Sequence, residues 1–123
     1  MMPYEKYDAW KLSHELALAI YRSTEGWPNR ELYGLTAQTR RAALSVPTNI
    51  AEGSAKLGPR ELRRYLDIAL GSLSELSYLL RFSREIGLLD DEEWQRLNLM
   101  RNQAGQQLWG LYRWAQQKAR MPG

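Results

Sequence analysis

Leu62, Leu66, Ala69, Leu73, Leu76 and Leu80 step by 4, 3, 4, 3 and 4 residues, which holds them on one stripe of a helix and is a spacing no strand produces. Beside them Tyr65, Ile68, Ser72, Glu75, Leu79, Phe82 and Ile86 run at the same period. The pair of stripes predicts a wide buried face touching two neighbours, so the segment 59–86 is the expected centre of the fold. The segment 8–25 repeats the pattern with Ala9, Leu12, Leu16, Ala19 and Ile20, and 91–118 repeats it with Trp94, Leu97, Ala104, Leu108, Leu111 and Ala115.

Punctuation separates these segments. Gly26-Trp27-Pro28, Gly53 with Gly58-Pro59, and Gly87 with Asp90-Asp91 are the strong breakers. Asp8 is the expected N-cap of the first helix, Pro59 suits the first turn of the third, and Asp90 followed by Glu93 has capping-box spacing at the start of the fourth. The segment 30–54 is the difficult one. Leu35, Ala42, Ala43, Val46 and Ile50 ask for a helix, yet Pro47 deletes the hydrogen bond to the Ala43 carbonyl. The apolar spacing continues in phase to Ile50 and Gly53, so the expectation is a helix that bends near Pro47 rather than stops, with Gly53 near its C-terminal cap. Short loops between long helices force antiparallel neighbours, and no strand-like alternation is available to build a sheet. The predicted architecture is all-α: one domain, 1–123, an antiparallel up-down-up-down four-helix bundle with the second helix kinked near Pro47.

Polar positions interrupt this pattern in register. Arg41, Ser45, Asn49 and Glu52 share one stripe of the second helix, and Ser72 and Glu75 break the seam of the third. If the stripes face each other, the six form a connected network shielded from water, because an unpaired buried polar group costs about 1–3 kcal/mol. Such a network reads as a lock on helix register and pairing, the alternative being a ligand site. Catalysis finds little support. Two acids fall short of the six-ligand carboxylate and histidine set of a di-metal bundle, and no Glu-x-x-His occurs. His14 is the sole histidine, and Gly53-Ser54-Ala55-Lys56 lacks both the upstream glycine and the preceding strand of a phosphate loop. The expectation is a protein that is not an enzyme and has no metal and no cofactor.

Composition narrows the class further. With 123 residues, 44% hydrophobic and 25% charged, the chain is long enough for one core and too short for two. It has no cysteine, which excludes disulfides and thiolate chemistry and suits a reducing compartment. No apolar run spans a bilayer, and Met1-Met2-Pro3-Tyr4-Glu5-Lys6 lacks a signal-peptide layout, so the expectation is a cytoplasmic protein without membrane contact. The net charge is +3, and its distribution matters more than its sum. Glu85 and Asp90 to Glu93 are all acidic, whereas all five charges from Arg96 onward are positive; acids at the start and bases toward the end of the last helix match its dipole. Lys56, Arg60, Arg63 and Arg64 have no such explanation, since they lie where the dipole favours acids. With Arg113, Lys118 and Arg120 they are candidates for sequence-independent contact with RNA or DNA, the alternative being a solvated basic face. Trp109, Tyr112 and Trp114 suit base stacking or packing.

Tyr33-Gly34-Leu35-Thr36 with Gln38, Arg40-Arg41-Ala42-Ala43, Ser45-Val46-Pro47, Asn49-Ile50-Ala51-Glu52-Gly53, and Ala69-Leu70-Gly71-Ser72 with Glu75-Leu76 together resemble the four-helix-bundle proteins encoded in 23S rRNA intervening sequences. Trp10 and Trp27-Pro28 fit the same family, and the likeness covers 7–108. It implies a homopentamer without established enzymatic activity. A related branch, the accessory variability proteins of diversity-generating retroelements, implies nucleic-acid binding and a reverse transcriptase or other protein partner. In a pentamer the charge of +3 per chain multiplies fivefold to +15, which favours affinity for nucleic acid.

Overall fold

The computed structural model describes residues 1–121, and these hold four α-helices and no strand: α1 (Asp8–Thr24), α2 (Ala37–Ser54), α3 (Pro59–Glu85) and α4 (Asp91–Ala119). The expected domain 1–123 extends two residues past the described ones. Each helix packs on two others, in the closed order α1, α2, α3, α4 and back to α1, which makes the molecule a four-helix bundle. Its centre is the stripe that the periodicity marked: Leu62, Leu66, Ala69, Leu73, Leu76 and Leu80 are all buried, against Leu16 and Ile20 of α1, Val46 and Ile50 of α2, and Leu97, Ala104 and Leu108 of α4.

The second stripe of α3 behaves differently. Leu79 is buried, but Ile68, Glu75, Phe82 and Ile86 are exposed, so the expectation of a doubly wide buried face fails in the single chain. Four helices in a closed ring leave the outer side of each without a neighbour, and this stripe falls there.

Contacts fix the register. Ser45 on α2 bonds Ser72 on α3, Gln38 reaches Glu75, and Gly53 lies against Tyr65, so partner numbers rise on one helix as they fall on the other. Leu73 against Gly105 and Arg84 on Asp91 relate α3 to α4 in the same way.

The ends of the helices correct several local expectations. The helix expected from residue 30 begins at Ala37. A short 3₁₀ turn (Asn29–Glu31) and a π-helical turn (Leu32–Thr36) precede it, and the backbone leaves helical geometry at Gly34, with φ −110° and ψ −107°. Pro47 is buried inside the continuous α2. Asp8 is the first helical residue rather than a side-chain cap, and it pairs with Lys11 at 3.8 Å. Asp90 does cap α4, its Oδ1 accepting from the Glu93 N–H at 2.8 Å. The Glu93 carboxylate does not return to the cap but accepts from Ser23 Oγ of α1 at 2.7 Å, tying two helices instead. Gly87, just past α3, has φ +86°, the left-handed conformation in which glycine ends a helix without steric cost.

Gly53 is not a capping glycine. It is buried in the last turn of α2, and a Cβ there would stand 2.7 Å from Tyr65 Cβ and 3.2 Å from Leu62 Cδ1. Only glycine permits α2 to approach α3 this closely.

Candidate nucleic-acid interface

The short hydroxyls and the amide of the predicted network come together. Ser45 Oγ lies 2.8 Å from Ser72 Oγ across the α2–α3 contact, and Asn49 Nδ2 donates to both the Ser45 carbonyl (2.8 Å) and Ser45 Oγ (3.0 Å). All three are half-buried. The longer, charged members do not join them. Arg41 and Glu52 are exposed, with no hydrogen bond or ion pair among the described residues, and Glu75 is exposed and held only by Gln38 Nε2 at 3.4 Å. The expectation of a shielded six-member network is corrected to a three-residue clasp. The physical reason is angular: on the stripes of α2 and α3 only the positions nearest the contact reach the partner helix, and the charged ones lean outward to water, where they avoid desolvation.

Arg40, the neighbour of Arg41, has a defined task that periodicity does not reveal. Its Nε donates to Thr24 Oγ1 at 2.8 Å, its Nη2 donates to the Tyr21 carbonyl at 3.3 Å, and its guanidinium stacks 4.8 Å from the Tyr21 ring centre. It therefore closes the C-terminal end of α1, where a cation complements the helix dipole. His14 is half-buried and stacks on Trp10, with ring centres 4.9 Å apart and planes within 10°.

The basic candidates lie toward one end of the bundle. Arg60 is thirteen residues before Leu73 and Lys118 thirteen residues after Gly105, so each is about 20 Å from the contact between those two residues, on the side away from Arg84 and Asp91. Lys56, Arg60, Arg64, Arg113, Lys118 and Arg120 are exposed, and Arg63 is half-buried. Among the described residues only Arg64 has an acidic partner, Glu61 at 3.0 Å, whose hydrogen bond and charge raise the guanidinium pKa above its ordinary value. Tyr65 sits between two cations, with Lys56 Nζ at 5.5 Å and the Arg64 guanidinium at 4.8 Å from its ring centre. The opposite end is acidic and internally compensated: Arg81 pairs with Glu85, Arg84 with Asp91 while lying over Trp94 at 4.3 Å, and Arg96 with Glu93. The Glu93 carboxyl is held below its ordinary pKa, chiefly by the Ser23 hydroxyl and then by Arg96.

Between α3 and α4 lies a groove of about 800 Å³ with Leu70, Leu73, Leu99 and Trp109 along its apolar side and Arg101 and Arg113 at its edges. Trp109 meets Tyr112 edge to face at 5.7 Å and remains half-exposed, as does Trp114. The described residues contain no group of three or more His, Asp or Glu side chains placed to hold a metal ion, and no helix among them is long and apolar enough to cross a membrane.

The chain is thus a four-helix bundle with a basic end and a small polar clasp between α2 and α3. Residues 5–110 match the family described as 23S rRNA-intervening sequence protein, and the chain belongs to that family. No curated protein matches it.

Proposed function

We propose that this chain is a non-enzymatic, homo-oligomeric bundle, a pentamer as its family resemblance implies, that binds RNA or DNA through its basic end as an accessory to an RNA-processing or retroelement system in the cytoplasm. The up-down-up-down course of its helices, with α2 bent at Pro47, belongs to the same reading and is supported by the opposed numbering of the α2–α3 and α3–α4 contacts. The observation that carries the binding assignment is the gathering of Lys56, Arg60, Arg63, Arg64, Arg113, Lys118 and Arg120 toward one end, with only Arg64 engaged by an acid among the described residues. A cation left free by its own protein is available to displace counterions from a phosphate backbone, and a symmetric assembly multiplies the number available. The binding expected is independent of sequence and sensitive to salt.

Gel-shift titrations of labelled single-stranded RNA and duplex DNA, each across a salt series, test this. Wild type should shift both at low salt and release them as salt rises, and a variant with Arg60→Glu, Arg63→Glu and Arg64→Glu together should bind far more weakly. Equal and negligible binding by both proteins at low salt ends the proposal. A second reading, a scaffold for another protein without nucleic acid, draws on the half-exposed Trp109 and Trp114. Capture of one defined partner, unchanged by nuclease and lost with Trp109→Ala, would favour it.

A further inference from the structure

Two faces of the single chain carry apolar side chains that nothing in it covers. On the outer side of α2 and α3, Leu44, Ile68, Tyr78 and Phe82 are exposed, Tyr78 to 63%. Glu52 and Glu75 stand among them without an ion pair among the described residues. In the groove between α3 and α4, Leu99 and Trp109 are exposed beside Arg101 and Arg113, and no carboxylate lines it. Arg101 is half-buried there and, among the described residues, is reached only by the amide oxygens of Asn98 and Asn102, at 2.8–3.3 Å. Burial without an anion lowers its pKa, the cost of keeping a charge partly out of water. One face is thus apolar with two free acids and one free cation, Arg41, and the other is apolar with two cations and no acid. Resting on the homo-oligomer reading above, we propose that the α3/α4 groove of one copy receives the outer α2/α3 face of the next, Arg101 meeting Glu75 and Arg113 meeting Glu52, which leaves Lys56, Arg60, Arg63, Arg64, Lys118 and Arg120 as the cations free for a phosphate backbone in the assembly.

Positions along the bundle axis make the pairing specific. Leu73 lies against Gly105, so Arg101, four residues earlier on α4, is level with residue 77 of α3, and Arg113, eight residues later, is level with residue 65. Glu75 is on α3 itself, and Glu52 is level with Tyr65 or the residue after it, because Gly53 lies against Tyr65. The two cations are therefore about 18 Å apart along the axis and the two acids about 15 Å, with each cation within about 3 Å of the height of its acid. The same ruler puts Leu99 level with Tyr78 and Trp109 level with Ile68, so apolar side chains meet apolar ones in the register that pairs the charges. Arg41 is level with Glu75 by the Ser45–Ser72 bond but makes no ion pair with it among the described residues. A contact between two different faces that needs no slide along the axis is the kind that closes into a ring, whereas one with a slide runs on as a filament. Opposed charges at matched heights also set which register is adopted.

Sedimentation velocity on the full chain tests the pairing, with thermal unfolding by circular dichroism to verify that each variant folds. Wild type should sediment as a discrete oligomer. Arg101→Glu and Glu75→Arg should each weaken assembly at least tenfold and leave folded monomer, and the double variant carrying both should regain the oligomer. Arg113→Glu with Glu52→Arg, at exposed positions, repeats the cycle should Arg101→Glu fail to fold. An oligomer indifferent to the single reversals, or singles that dissociate without rescue in either double, assigns the groove to another occupant and overturns this pairing while leaving the homo-oligomer standing. A wild type that remains monomeric at high concentration overturns both.

Discussion

The two stripes of α3 have the same period and, Leu79 apart, different fates. Leu62 to Leu80 form the buried centre of the bundle, whereas Ile68, Glu75, Phe82 and Ile86, beginning one turn later, look outward from the closed ring of helices. Periodicity reports that a helix has an apolar face. It does not report which chain covers it. The outer stripe is apolar surface beyond what four helices bury, the face on which the proposed pairing of copies rests, and Glu75, a buried lock when the stripe is taken as core, is an exposed anion there.

The sharpest way to break this comparison is to truncate one side chain from each stripe. Leu76→Ala removes a fully buried side chain and should cost about 2–5 kcal/mol in chemical denaturation. Phe82→Ala, at a residue left 41% exposed, should cost well under half as much once the protein is diluted to monomer. Equal losses would mean that the two stripes are equally buried in the single chain. Gly53→Ala probes the seam beside them, since its Cβ would collide with Tyr65 Cβ at 2.7 Å. The overpacking cost of about 1–3 kcal/mol should outweigh the gain of up to about 1 kcal/mol from better helix propensity, giving a lower melting temperature. A rise would show that the helices separate easily.

Thr39→Val tests the core from the other direction. The Thr39 hydroxyl is fully buried and has no hydrogen-bond partner among the described residues, and an unmatched buried hydroxyl costs about 1–3 kcal/mol, so its removal should raise stability in the same denaturation assay. The smallest effect is expected at Glu93. Its folded pKa is depressed, so its carboxylate stabilises the fold above the ordinary Glu value of about 4.3 and loses that contribution as pH falls through the window below it. Glu93→Gln should melt slightly lower than wild type at pH 7, and the gap should close on acidification. A gap that widened toward low pH would reverse the assignment.

What was legible in the chain follows the range of each interaction. The inner stripe, the Asp90 cap and the Gly58-Pro59 start of α3 are local, written in residues three or four apart, and the structure places them as the spacing implies. The start of α2 is not legible because the apolar spacing runs on through Gly34, where the backbone leaves the helix. Long-range roles left no local trace: Arg40 closing α1 from α2, Glu93 diverted from its cap to Ser23, and Gly53 needed for helix approach rather than for a turn. In the candidate site the basic cluster was legible as composition, and its convergence with Arg113, Lys118 and Arg120 at one end depends on the register of α3 against α4. The polar seam was half legible. Ser45, Asn49 and Ser72 are short enough to be satisfied only at the contact, whereas Arg41, Glu52 and Glu75 are long enough to reach water, and sequence spacing does not distinguish those outcomes.

Hydroxyl-radical footprinting of Tyr78 and Phe82 across a dilution series addresses the outer stripe most directly. If a second copy covers this face, both rings should react slowly at high concentration, at rates approaching those of buried residues, and speed up as the protein is diluted. Fast modification of both rings at every concentration, in a protein that remains folded, would contradict it.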